Sequence, residues 1–140
     1  MIHRLAAAVL FLGLFALWAP AATLVQDGKP TAVVVIPAKP DANEKLAAEE
    51  LINHVEKMSG AKLALAQIDV DAAGLEKFLD ASHKANQTTI CLGRFALPRV
   101  QKLITDKSDY PGSFALVAEK DQIFIAGIDN GTAIGVSELL

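Results

Sequence analysis

The chain has 140 residues, a formal net charge of −3, a hydrophobic content of 52% and one cysteine. This length builds a single domain, and a lone cysteine excludes a disulfide framework within the chain. The 13 Lys and Arg stand singly among 16 Asp and Glu, which excludes the clustered basic stripe that a nucleic-acid backbone requires.

Hydrophobic residues concentrate at the start. Met1-Ile-His-Arg4 is a short positive opening, Leu5 to Trp18 is an apolar run of 14 residues, and Ala19-Pro-Ala21 supplies the small residues of an A-x-A cleavage pattern. Together they read as a secretory signal peptide over residues 1–21. A spanning helix needs about 20 apolar residues, and Pro20 interrupts the run before it reaches that length. Export to the periplasm or the extracellular space is therefore expected, with no membrane attachment after cleavage. No cysteine lies near the cleavage region to carry a lipid. Arg4 is the only charged residue removed, so the mature segment carries −4.

Residues 22–30 read as a polar lead-in. Ala32 to Ile36 is a continuous β-branched run, suited to a strand covered on both faces. Asp41-Ala-Asn-Glu44 has the spacing of a capping box and opens the clearest helix. Ala48, Leu51, Ile52, Val55 and Met58 recur on its inner face, Lys45, Glu49, Asn53, Glu56 and Lys57 on its outer face, and Ser59-Gly60 stops it. Lys62 to Ile68 reads as a second strand, and Gly74 to Lys84 as a second helix with Leu75, Phe78 and Leu79 on one side. Thr88 to Leu92 is a third strand. A short helix follows from Leu97 or Pro98 to Ile104, with Val100, Leu103 and Ile104 apolar. Ser113 to Ala118 and Gln122 to Ala126, joined through Glu119-Lys-Asp121, form an antiparallel hairpin. Gly127 to Gly131 then turns the chain into an apolar helix that runs to Leu140 without a C-cap, which reads as truncation. The expected fold is α/β, a mixed sheet with helices packed on it, in one domain over residues 31–140.

Residue types able to carry chemistry are few. Glu49 and Glu50 diverge on a helix and cannot flank one glycosidic bond, and Asp129-Asn-Gly131 is turn chemistry. Glu50 and His54 read as a surface pair, and His83 stands alone. No zinc-ligand spacing is present. Gly127, Gly131 and Gly135 lack the Lys-Ser or Lys-Thr ending of a phosphate loop and read as close-packing positions. Ser113 does not sit in a nucleophile elbow. Cys91, inside an apolar strand, reads as an inert buried thiol. Asn86 and Asn130 fit glycosylation sequons, relevant only to a eukaryotic secretory route. No catalytic, cofactor-binding or metal-binding residue is therefore assigned, and no cofactor is expected.

Val33 to Pro37, Lys45-Leu-Ala-Ala-Glu-Glu-Leu51 leading to Met58-Ser-Gly-Ala-Lys-Leu63, Ile90-Cys-Leu-Gly93 and the closing Phe114 to Leu140 occur in an order that resembles the non-catalytic N-terminal domain of bacterial β-hexosaminidases and α-glucuronidases. The resemblance covers about residues 31–140 and departs at Ala133-Ile134, where that family often has an aromatic residue. It implies a mixed sheet with helices that precedes a TIM-barrel glycosidase, whose catalytic acids lie beyond residue 140. No catalytic residue transfers to this chain. The implied partners are a catalytic barrel C-terminal to Leu140 and the carbohydrate substrate of the parent enzyme. Two other readings compete: a free-standing carbohydrate-binding module, disfavoured by the few aromatics left to stack on sugars, and a structural interaction domain of a large exported protein without hydrolase activity.

Overall fold

A computed structural model describes residues 22–107 and 110–140; the expected signal peptide, residues 1–21, lies outside the described residues. The fold class is as expected, a mixed sheet with helices on it that closes with a hairpin and a helix. In chain order the elements are β1 (Val25–Gln26), β2 (Lys29–Pro30), β3 (Ala32–Pro37), α1 (Ala42–Ser59), β4 (Ala64–Ile68), α2 (Ala72–Lys84) and β5 (Thr88–Leu92). A 3-10 turn at Gly93–Phe95 leads to α3 (Leu97–Lys107), β6 (Phe114–Glu119), β7 (Gln122–Gly127) and α4 (Gly131–Leu139).

The main sheet has the order β4-β3-β5-β7-β6. β3 pairs in parallel with both β4 and β5, β5 pairs in parallel with β7, and β6 closes the edge antiparallel to β7. Alternation along the central strands splits the core into two layers. Val34, Ile36, Ile90, Leu92, Ile123 and Ile125 face α1 and α4. Val33, Val35, Cys91, Phe124 and Ala126 face α2 and α3. Strands covered on both sides favour apolar residues at every position, which explains the unbroken run of β3; β5 opens with the buried Thr88 and Thr89 and is apolar from Ile90 to Leu92.

Local chemistry sets the boundaries. Asp41 and Glu44 form the capping box at the start of α1, and Gly60 ends it in the left-handed region at φ 74. The glycines of the final segment are forced by close approach. A Cβ on Gly127 would lie 2.5 Å from the Gly131 Cα, one on Gly131 would strike the Ser113 carbonyl oxygen, and one on Gly135 would lie 2.7 Å from Ile125. The helix α4 thus rides directly on the hairpin.

Several expectations require correction. Residues 22–30 are not a plain lead-in: β1 and β2 pair antiparallel around Asp27-Gly28, both at positive φ, as an Asp-Gly hairpin turn requires. Helix α2 starts two residues early, because Asp71 caps it by accepting from the Gly74 amide at 2.8 Å. The second strand begins at Ala64 rather than Lys62, and Glu119 belongs to β6, leaving Lys120-Asp121 as the turn. Met58 is 73% exposed and Leu103 46% exposed, so neither is core. Val100 and Ile104 of α3 continue a buried row that begins at Ala96 just before the helix, spaced by four, and Leu103 falls on its flank. Met58 instead borders an apolar groove of about 220 Å³ with Leu24, Val25, Val55, Leu139 and Leu140.

Candidate functional site

Helices α1 and α2 flank β4 in the chain yet pack on opposite faces of the sheet. The chain therefore winds one way from β3 to β4 and the other way to β5, and the connections leaving the carboxyl ends of β3 and β5 turn to opposite faces of the sheet. Open α/β sheets bind ligands at such a switch point. Here it is a cleft of about 380 Å³. Its walls come from three successive loops: Pro37, Ala38 and Lys39 after β3, Ile68, Asp69 and Val70 after β4, and Arg94 and Phe95 after β5.

Behind the cleft sits the most organised polar cluster among the described residues. The Glu44 side chain is 2% exposed, while that of Arg94 is 57% exposed. Glu44 Oε1 accepts from the Arg94 backbone amide at 2.8 Å and from Arg94 Nε at 3.1 Å. Glu44 Oε2 accepts from the Asp41 amide at 2.9 Å and from Arg94 Nη2 at 3.2 Å. Arg94 Nη2 also donates to the Lys39 carbonyl, which ties the loop after β3 to the loop after β5. A carboxylate leaves water at tolerable cost only with its lone pairs filled and a cation beside it, and Glu44 has both. The hydrogen bond to Glu44, and then the Glu44 charge, raise the Arg94 pKa above its ordinary value. Gly93 makes the approach possible, since it sits at φ 63 and any Cβ there would strike the Glu44 side chain.

A second cluster lies on the α2/α3 side. Arg99 Nη2 donates to both carboxylate oxygens of Glu76, at 2.8 and 2.9 Å, and Nη1 donates to Glu119 at 3.3 Å. The guanidinium lies 5.1 Å from the Phe124 ring centroid. This cluster joins α2, α3 and β6 without bordering a cleft wall after β3.

The other residues weighed from the sequence fall outside the cleft. Glu49 pairs with Lys45 at 3.9 Å on exposed helix surface. His54 Nδ1 donates to the Glu50 backbone carbonyl at 2.9 Å, not to its carboxylate. His83 is not alone: its Nδ1 donates to Asp121 Oδ2 at 2.7 Å, linking α2 to the hairpin turn at the amino end of the sheet. Asp129 is a turn residue at φ 53, and its carbonyl accepts from Asn43 Nδ2 at 2.9 Å. Asn86 and Asn130 are exposed. Cys91 is fully buried, and burial pushes its thiol up to about 12 from an ordinary 9.0, so no thiolate is present near neutrality.

Glu44, Arg94 and Lys39 were not picked out as a site by the sequence. Glu44 reads as a capping residue, and capping residues are usually solvated. The available signal was topological: a β-α-β-α-β order with short loops after each strand implies a switch point, and Gly93-Arg94 directly follows β5. Among the described residues the cleft walls hold two cations and one carboxylate, Asp69. Paired-acid hydrolysis needs two carboxyl groups across one bond, and the described cleft walls offer one.

Among the described residues, no group of three or more His, Cys, Asp or Glu is placed to hold a metal ion, and no helix is long and apolar enough to cross a membrane. Compared with known proteins, the chain matches no family model and no curated sequence.

Proposed function

We propose that this chain is a non-catalytic accessory domain of an exported glycoside hydrolase, resembling the domain that precedes the catalytic barrel in bacterial β-hexosaminidases and α-glucuronidases. The observation that carries the reading is the closing segment. Phe114 to Leu140, the longest stretch of the resemblance, folds as strand, strand, glycine turn and helix, with Gly127, Gly131 and Gly135 each at a contact that excludes a side chain. The segment is tied to α1 through Asn43 and Asp129.

Further support comes from the apolar groove of about 220 Å³ between the end of α1, β1 and the end of α4, where Met58 is 73% exposed. A neighbouring barrel would cover this surface, and its burial would contribute about 25 cal/mol for each Å² removed from water. In this role the domain supports and orients the barrel, and the parent enzyme supplies the acid and base.

The test uses the protein as the cell makes it. Antibodies against residues 31–140 are used to deplete the exported fraction of the producing cells, which is then assayed on aryl β-N-acetylhexosaminides and on α-glucuronosyl oligosaccharides. The expected result is capture of a polypeptide much larger than 14.8 kDa, with loss of one of these activities from the supernatant. Capture of a species no larger than this chain, with both activities left behind, overturns the proposal.

A further inference from the structure

The switch-point cleft has features that a purely supporting domain does not need. Among the described residues its walls carry the cations Lys39 and Arg94 and the carboxylate Asp69, and the Arg94 charge is balanced by the buried Glu44 behind it, so Arg94 offers a fixed donor and Lys39 the charge. Arg94 is held from behind: Nε and Nη2 are engaged by Glu44 and by the Lys39 carbonyl, while Nη1 makes no hydrogen bond among the described residues. Its side chain remains 57% exposed. Lys39 forms no ion pair among the described residues and is exposed. A guanidinium fixed in this way has little rotamer freedom left to lose on binding, which removes part of the usual cost of capturing an anion.

The capping box decides which part of the site can hold the anion. Asp41 and Glu44 already occupy the amino end of α1, so the helix terminus is not the anchor, and the contact falls to Arg94 and Lys39. Ile68, Val70 and Phe95 give the rest of the cleft apolar walls. At about 380 Å³ the cleft is at the small end of ligand sites, which run from about 300 to 1,000 Å³.

We propose that this cleft binds a small organic anion, a carboxylate- or phosphate-bearing molecule the size of one sugar ring, with Arg94 and Lys39 on its charged group and Phe95 against its body. The inference does not rest on the accessory-domain reading, and the depletion experiment above can fail without affecting it.

The test is titration calorimetry on the protein purified from its producing cells, with glucuronate, glucose 6-phosphate and neutral glucose as probes. At least one anion is expected to bind saturably, with glucose about tenfold weaker or more. Binding of glucuronate alone assigns a carboxylate ligand, and binding of glucose 6-phosphate alone a phosphate ligand. Replacing Arg94 would strand the buried Glu44, so the diagnostic variant is Lys39→Glu, on an exposed side chain with no ion-pair partner among the described residues. It is expected to weaken anion binding about tenfold or more at unchanged Tm. The proposal is overturned if neither anion binds, if glucose binds as tightly as the anions, or if Lys39→Glu leaves the affinity unchanged.

Discussion

The carboxyl ends of the parallel strands and the outer surface between α2, α3 and β6 each carry one arginine with carboxylate partners, and the two regions differ in burial. At the strand ends Arg94 meets a carboxylate that is 2% exposed and fully hydrogen-bonded. On the outer surface Arg99 meets Glu76 and Glu119, which are 55% and 54% exposed. Geometry does not distinguish them, since the Arg99–Glu76 fork is the shorter of the two. Solvent does. An exposed pair exchanges good hydration for a screened attraction and nets about 0–1 kcal/mol, whereas breaking a buried pair strands a charge that water reaches poorly. The same residue type therefore clamps loops in one region and decorates a surface in the other.

The largest difference between the two regions is expected from Arg94→Ala. It leaves Glu44 buried without its cation and frees the loop after β3, and it is expected to cost about 3 kcal/mol in urea unfolding, at the low end for a buried pair because water can enter where the half-exposed guanidinium stood. Arg99→Ala serves as the reference, with an expected loss of about 1 kcal/mol including its contact with Phe124.

A smaller effect, governed by pH, comes from the core between these regions. Cys91 ionises at an ordinary 9.0 once exposed and at about 12 when folded. Between those values the unfolded chain releases a proton that the folded chain retains, so this contribution to stability is intact below pH 9 and declines as pH rises toward 12. The wild-type protein should lose up to about 1.4 kcal/mol per pH unit more than Cys91→Ala across that window. Parallel stability curves for the two proteins, measured by chemical denaturation, would contradict the burial assigned to Cys91.

Much of the fold is legible in the sequence because its signals are local. The β-branched run of β3, the Asp41–Glu44 capping box, the Gly60 stop and the hairpin of β6 and β7 each declare themselves within a few residues. The Asp27-Gly28 hairpin and the Asp71 cap were equally local, and were obscured by the short strands beside one and by the Ala-Ala-Gly run after the other. Met58 and Leu103 match the helical period, but period does not reveal where the sheet beneath a helix ends. The candidate site is of another kind. Glu44 and Arg94 are fifty residues apart in the chain, and they meet only because β3 and β5 are adjacent and Gly93 carries no side chain. Strand order, not spacing, brings them together.

Two double-mutant cycles, Glu44→Ala with Arg94→Ala and Glu76→Ala with Arg99→Ala, measured by urea unfolding under one set of conditions, separate the buried pair from the exposed one. Burial of Glu44 predicts a coupling of about 2 kcal/mol or more for Glu44 and Arg94, and exposure of Glu76 predicts less than about 1 kcal/mol for Glu76 and Arg99. A Glu44–Arg94 coupling no larger than that of the exposed pair would contradict the role given to burial.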